Sequence, residues 1–339
     1  MSACQDTIDF DLEENPNYLV VDGFITDEFG PHIIHLSRSS QFTSALDGGF
    51  ELREVGASLC IRDNNDNCTD LTEVRPGEYA TPDQFRGQPG DSYTLHVTTS
   101  DGNSYISGTE TLVTPGPIDS VYMDSLIVQN VSRNGVIVDK IGLQFFIDFT
   151  FPDRDYYYFW DWESTFILKT YYDGGIPDSC FVDEWPIEYL NILESNTSSQ
   201  RTIQQHPIVF KDIDFKFSRG FSLNVQQYAV SREAYQFYDK IENQMDATGS
   251  IFDPAPTRIT GNISNVNSEN DIVLGYFGAF GLTEKRTFVD SLVSFIPSMS
   301  VCLAAPEHTP PNMCFDCRLY EVGGNFKAIS RKEMPEYWE

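Results

Sequence analysis

Between Tyr18 and Leu112 the chain is written in short apolar runs separated by turn residues. Tyr18-Leu19-Val20-Val21-Asp22-Gly23-Phe24-Ile25 is closed by Asp27-Glu28-Phe29-Gly30-Pro31 and followed by His32-Ile33-Ile34-His35-Leu36-Ser37. Ser92-Tyr93-Thr94-Leu95-His96-Val97-Thr98-Thr99 alternates with period two. It enters the hairpin signal Ser100-Asp101-Gly102-Asn103 and returns through Ser104-Tyr105-Ile106-Ser107. Strands of this length and spacing predict an immunoglobulin-like β-sandwich over residues 18–114. Thr114-Pro115-Gly116-Pro117 then interrupts regular structure and marks a domain boundary.

Residues 118–339 read as a larger antiparallel β-rich domain. Strands are predicted over 143–151, 156–172, 207–217, 221–230, 271–280 and 286–295, the first two dense in Phe, Tyr and Trp. One segment changes period. Ser231 stands as an N-cap with Glu233 close behind, and Ala234, Phe237, Tyr238, Ile241 and Met245 share a helical face. The expectation is one amphipathic helix near 231–247, ended by Gly249 and the Pro254/Pro256 pair. The fold class is therefore mainly β, a sandwich followed by a β-rich domain with one helix and a Cys-rich tail.

Composition narrows the partners. The chain of 339 residues holds 51 acidic and 22 basic side chains, for a formal charge of -29. That field repels phosphates, so nucleic acid is excluded as a partner. No run is apolar over the ~18 residues that a spanning helix needs.

Cys4 offers another route to a membrane. Met1-Ser2-Ala3-Cys4 reads as the end of a bacterial lipobox, and residues 5–17 as an acidic leash behind a lipid-bearing cysteine. Each buried acyl methylene adds roughly 0.8 kcal/mol to anchoring.

Six further cysteines, Cys60, Cys68, Cys180, Cys302, Cys314 and Cys317, form an even set that suits disulfides. Cys60 and Cys68 bracket a polar turn and would close a hairpin. Cys302, Cys314 and Cys317, with the distant Cys180, would staple the tail. A zinc site built on Cys314-Phe315-Asp316-Cys317 competes, but lacks a second close pair, with His308 the only histidine near it.

The chemistry of catalysis is sparse. No nucleophile elbow, zinc-protease helix, phosphate loop or dinucleotide fingerprint occurs, so no catalytic residue and no cofactor beyond a lipid on Cys4 is expected. His32 and His35, three apart in a strand, project to opposite faces and do not share a metal. Asp63, Asn65 and Asn67 have the spacing that opens a calcium loop. Cys68 and Val74 stand where that loop needs Gly and Glu, which favours a disulfide-closed hairpin.

Asp161/Glu163 and Asp183/Glu184 are close in sequence, but such pairs arise freely in so acidic a chain. The aromatic run remains. Alternation sets Tyr157, Phe159 and Asp161 on one face and Tyr156, Tyr158, Trp160 and Trp162 on the other. The second set is the candidate partner-binding surface, unless the strand is buried on both sides.

Several motifs resemble a known family. Thr248-Gly249-Ser250-Ile251-Phe252-Asp253-Pro254, Gly261-Asn262-Ile263-Ser264-Asn265-Val266 and Leu274-Gly275-Tyr276-Phe277 resemble the central block of the Bacteroidota lipoproteins called domain of unknown function 4249. Leu19-Val20-Val21-Asp22-Gly23, Gly77-Glu78-Tyr79, Phe85-Arg86-Gly87 and the ending with Cys314, Cys317, Gly323-Gly324-Asn325 and Tyr337-Trp338 are similar too. The resemblance implies an exported, lipid-anchored outer-membrane protein facing the cell surface. It implies a β-barrel partner such as a TonB-dependent transporter of the starch-utilisation type, and no reaction. The expected role is a non-enzymatic accessory subunit. The rival readings are a surface lipoprotein capturing a peptide, glycan or cation, and a subunit of outer-membrane assembly or export machinery.

Overall fold

The computed structural model describes residues 17–39, 52–131, 137–152, 155–170, 178–187, 190–195, 201–245, 258–268, 270–289, 312–314, 316–320 and 326–338. Cys4, the acidic leash up to residue 16, and Cys302 lie outside them. The architecture is mainly β, its sheets built from antiparallel pairs with one parallel exception, and carries one α-helix among the described residues.

The chain divides into two units. The first comprises Met1–Leu112 and Asn243–Phe280, the second Val113–Glu242 and Gly281–Glu339. Residues 243–280, expected in the second domain, thus belong to the first. The reason lies in strand pairing. Leu19–Thr26 bonds antiparallel to Ile33–Arg38 on one side, and parallel to residues 273–280 on the other.

Unit one is a sandwich of two sheets. In one sheet the order runs from 273–280 through Leu19–Thr26, Ile33–Arg38 and Glu78–Ala80 to Thr72–Arg75. In the other it runs from Ile263–Asn265 through Ser104–Ser107, Ser92–Thr98 and Ser58–Asp63 to Cys68–Asp70. The period-two text explains the layering. Tyr93, Leu95 and Val97 turn inward, where they meet Leu19, Val21, Ile34 and Leu36 in a single core. The predicted hairpin closes as written, with Thr99 N–H donating to Asn103 O at 2.9 Å and Gly102 in the left-handed region at φ 88°.

Unit two also pairs two sheets around one core. Phe326–Arg331, Asp178–Pro186, Tyr157–Thr170, Phe221–Val230 and residues 281–289 follow one another in the first. Ile118–Val131, Ile137–Thr150 and Thr202–Asp212 form the second. Phe145, Ile147 and Phe149 of the small sheet pack with Trp160, Trp162, Phe166, Leu223 and Val225 of the large one.

Several expected element boundaries change, and the strand expected over 143–151 runs Ile137–Thr150. The segments 271–280 and 286–295 contribute to one strand, Val273–Val289, with nothing described beyond it until residue 312. The strand expected over 207–217 ends at Asp212, and Phe215–Ser218 is a 3-10 turn capped by Asp214. The helix is Arg232–Met245. Ser231 caps it by accepting from Ala234 N–H at 3.0 Å, but Met245 is exposed rather than on a buried face.

Candidate docking site

Tyr157–Thr170 is the central strand of the large sheet in unit two and is buried on both sides. Tyr158, Trp160 and Trp162 lie in the core, and half-buried Tyr156 packs against it. The polar atoms of Tyr158 and Trp160 are engaged within the unit. Gly116 N–H donates to Tyr158 Oη at 2.9 Å, Trp160 Nε1–H to Gln227 Oε1 at 3.0 Å, and Gln227 Nε2–H to Gly116 O at 2.8 Å. The opposite face is covered too. Tyr157 packs on Tyr235, and Phe159 stacks on Tyr238, with centroids 5.2 and 5.4 Å apart, both partners on the helix. The assignment of Tyr156, Tyr158, Trp160 and Trp162 to a partner surface is therefore corrected. A sheet layered between a core and a helix has no aromatic face left to offer.

Three carboxylates of this unit are paired with cations: Glu184, Glu163 and Asp183. Asp183 and Glu184, adjacent in the chain, face opposite ways. Asp183 accepts from Thr165 Oγ1 at 2.7 Å and pairs with Arg331 at 2.8 Å. Glu184 is fully buried and takes Lys216 Nζ at 2.8 Å and Tyr320 Oη–H at 2.7 Å. Burial pushes the Asp161 carboxyl up to about 6. Burial also raises Glu163, helped by nearby Asp183 and opposed by Arg286, whose guanidinium is 3.6 Å away. Lys211 lies 3.8 Å above the Trp162 ring, and burial pulls its ammonium down to about 7.

In unit one the polar candidates are consumed by the fold. Cys60 and Cys68 are bridged, as are Cys180 and Cys317 in unit two, and Cys314 is disulfide-bonded as well. Among the described residues, Cys60, Cys68 and Asp70 are the one group with metal-ligand atoms in reach of one another, and its two sulfurs are already joined. Asp63 Oδ1 accepts from the N–H groups of Asn65 and Asn67 at 2.8 and 2.9 Å, so this carboxylate closes its own turn. His32 sits between Thr26 Oγ1 and Thr81 Oγ1, and burial lowers its pKa.

Among the described residues, one ribbon is apolar and exposed. Ile118–Val131 and Ile137–Thr150 pair continuously from Ser120 to Val131, but Thr202–Asp212, the third strand, stops opposite Gly142. Beyond that point the sheet is a two-stranded ribbon. Ile127, Ile137 and Ile141 are about three-fifths exposed, and Leu126 and Val138 more than two-fifths. Ile127 faces Ile141 across the ladder, and they extend the side on which Leu143 and Phe145 enter the core. A ribbon of two strands is barely stable in water by itself, and contiguous exposed apolar residues mark interaction sites. The sequence carries a signal for it. Asn134-Gly135, the strongest short hairpin dipeptide, lies between Leu126-Ile127-Val128 and Val136-Ile137-Val138.

Fold and site together define a two-unit β protein whose exposed apolar ribbon is its most distinctive surface. Residues 5–286 match the family model described as Domain of unknown function (DUF4249), and the chain belongs to that family. No curated protein matches the chain.

Proposed function

We propose that this protein is an outer-membrane lipoprotein, acylated on Cys4. It acts as a non-enzymatic accessory subunit of a membrane protein complex, with a β-barrel transporter of the TonB-dependent type as partner. The observation that carries the reading is the apolar ribbon of 126–128 and 137–141, which stands bare in the isolated chain. Burial of the Tyr158, Trp160 and Trp162 side chains removes the aromatic platform that a ligand-capturing role would use, and so favours docking over capture. No helix of the described residues is long and apolar enough to cross a membrane.

Two measurements test the proposal. Mass spectrometry of the N-terminal peptide from native membranes is expected to find acyl chains on Cys4. Mild detergent extraction is expected to recover the protein with a barrel protein, and the variant carrying Ile127→Lys and Ile141→Lys is expected to come out without it. Recovery of the wild-type chain alone and unacylated overturns the reading.

A further inference from the structure

We propose that the outer edge of Ile118–Val131 accepts one additional β-strand from a partner protein. That strand is an extended segment with apolar residues at alternate positions and Lys or Arg at its ends. The inference rests on the docking role proposed above and names the form of the contact.

The direction of the backbone follows from the ladder. Ile213 N–H donates to Ile141 O at 3.5 Å, so the peptide groups of Ile141 face the third strand. Peptide groups alternate sides along a strand. Lys140 and Gly142 therefore face Ile118–Val131 and bond its residues Val128 and Leu126, their register partners. It follows that Ser125, Ile127 and Gln129 point their N–H and C=O groups outward. Ser125 agrees with this, since its N–H is taken by the Asp124 carboxylate at 2.7 Å rather than by a strand. Nearer the body the edge is closed, where Lys285 Nζ donates to Ile118 O and Asp119 O at 3.2 and 2.6 Å. The main-chain groups of Ile127 and Gln129 are left without a strand partner among the described residues.

Exposed edges in monomers are blunted by Lys, Pro, bulges or brevity. This edge has none of them. From Ser120 to Val131 it contains no Lys and no Pro, and its register is unbroken. Such an edge is the template on which strand addition builds, with main-chain bonds for affinity and alternate side chains for specificity.

Charge selects the occupant. The edge strand bears Asp119 and Asp124 and no cation. Across the ribbon stands Asp139, while Lys140 is tied to Asp212 at 3.0 Å. A second copy would bring another chain of formal charge -29 against this one. A bilayer would have to receive Ser132-Arg133-Asn134-Gly135, the polar sequence joining the two strands. A basic-ended strand of another protein meets neither obstacle.

The test uses the full chain and a short fluorescent peptide alternating valine and threonine between terminal lysines. Gln129→Pro removes an outward N–H and sets the proline ring in the strand's path, while the inner ladder keeps its bonds. Gln129→Ala is the control, and circular dichroism melts check that both variants fold. Wild type and Gln129→Ala are expected to bind the peptide, and Gln129→Pro to bind at least ~tenfold more weakly, the loss expected when strand hydrogen bonds fail. The peptide N-methylated at alternate residues is expected to lose binding equally.

Equal binding to folded Gln129→Pro overturns the proposal, as does no binding by wild type. Self-association through this edge in sedimentation, abolished by Gln129→Pro, overturns the heterologous occupant. The two readings separate in native membranes. If Gln129→Pro keeps its barrel partner and Ile141→Lys loses it, docking stands and strand addition falls. If both keep it, docking falls as well.

Discussion

Asn262 grips Phe277 as a neighbouring strand would: its Oδ1 accepts the Phe277 N–H at 3.0 Å, and its Nδ2–H donates to the Phe277 carbonyl at 2.8 Å. The same amide reaches Glu110 at 3.3 Å, and Glu110 accepts a hydrogen bond from the Tyr276 hydroxyl. The motif residues around 262 and 276 thus assemble a polar knot inside unit one. Asn262→Ala leaves both main-chain groups of buried Phe277 unanswered, at a cost of about 2 kcal/mol or more. Urea unfolding measures it. A midpoint unchanged from wild type would show the knot to be dispensable.

Gly275 is held at φ +86°, and a Cβ there would overlap the Val21 carbonyl; one on Gly261 would overlap the carbonyl of Gly275. Gly275→Ala combines a conformation that L side chains avoid with a clash against main chain. The expected loss is about 3 kcal/mol, a large share of the roughly 5–15 kcal/mol that holds an ordinary domain. Thermal melts of Gly275→Ala beside Gly102→Ala are the comparison. Gly102 also has positive φ, but an added Cβ meets nothing within 4 Å, so the difference isolates the clash.

Lys211 makes stability depend on alkaline pH. Burial lowers its folded pKa to about 7 from the ordinary lysine value of 10.5. Between those values the unfolded chain holds more of this proton than the folded one, so stability rises as pH climbs through that window. The slope has a ceiling of about 1.4 kcal/mol per pH unit. Lys211→Met removes the titration and keeps much of the stem that covers Trp162. Unfolding midpoints taken from pH 7 to 10 are expected to rise less steeply in the variant. Parallel slopes would contradict the assignment.

The two described disulfides differ in the chain that they close. Cys180–Cys317 spans a separation of 137 residues and Cys60–Cys68 one of 8. Loop-closure entropy then assigns about 5 kcal/mol to the first and about 2.5 kcal/mol to the second. Cys180 and Cys317 are also fully buried, so replacing them with alanine loosens the core. Denaturant midpoints of the double variants Cys180→Ala with Cys317→Ala, and Cys60→Ala with Cys68→Ala, are expected to rank in that order. The reverse order would count against the entropic account.

What could be read from the sequence was local. Alternation placed the Ser92–Thr98 hairpin, and an N-cap with an apolar face placed the helix, because both depend on neighbours within a turn or two. The split of unit one was illegible, since no local pattern announces that residues 273–280 will lie beside Leu19–Thr26. The aromatic strand misled for a related reason. A strand covered on both sides and one with a docking face carry the same letters, and only the helix packed on Tyr157 and Phe159 decides between them. The ribbon was missed because apolar residues on both of its faces blur the period of two. Its Asn134-Gly135 signal was stronger than the alternation around it.

The parallel ladder from Leu19 to Val273 sets an order of events for a polypeptide delivered N-terminus first. The opening strand must wait, one edge unclaimed, until the first and longer segment of unit two, Val113–Glu242, has been made. Neither half can then be finished early, for the chain that completes the first unit at residue 280 continues directly into the second. A ribosome stalled near residue 242 would hold a body with both sheets short of a strand, and a gene cut at the apparent boundary near 112 would yield no stable fragment.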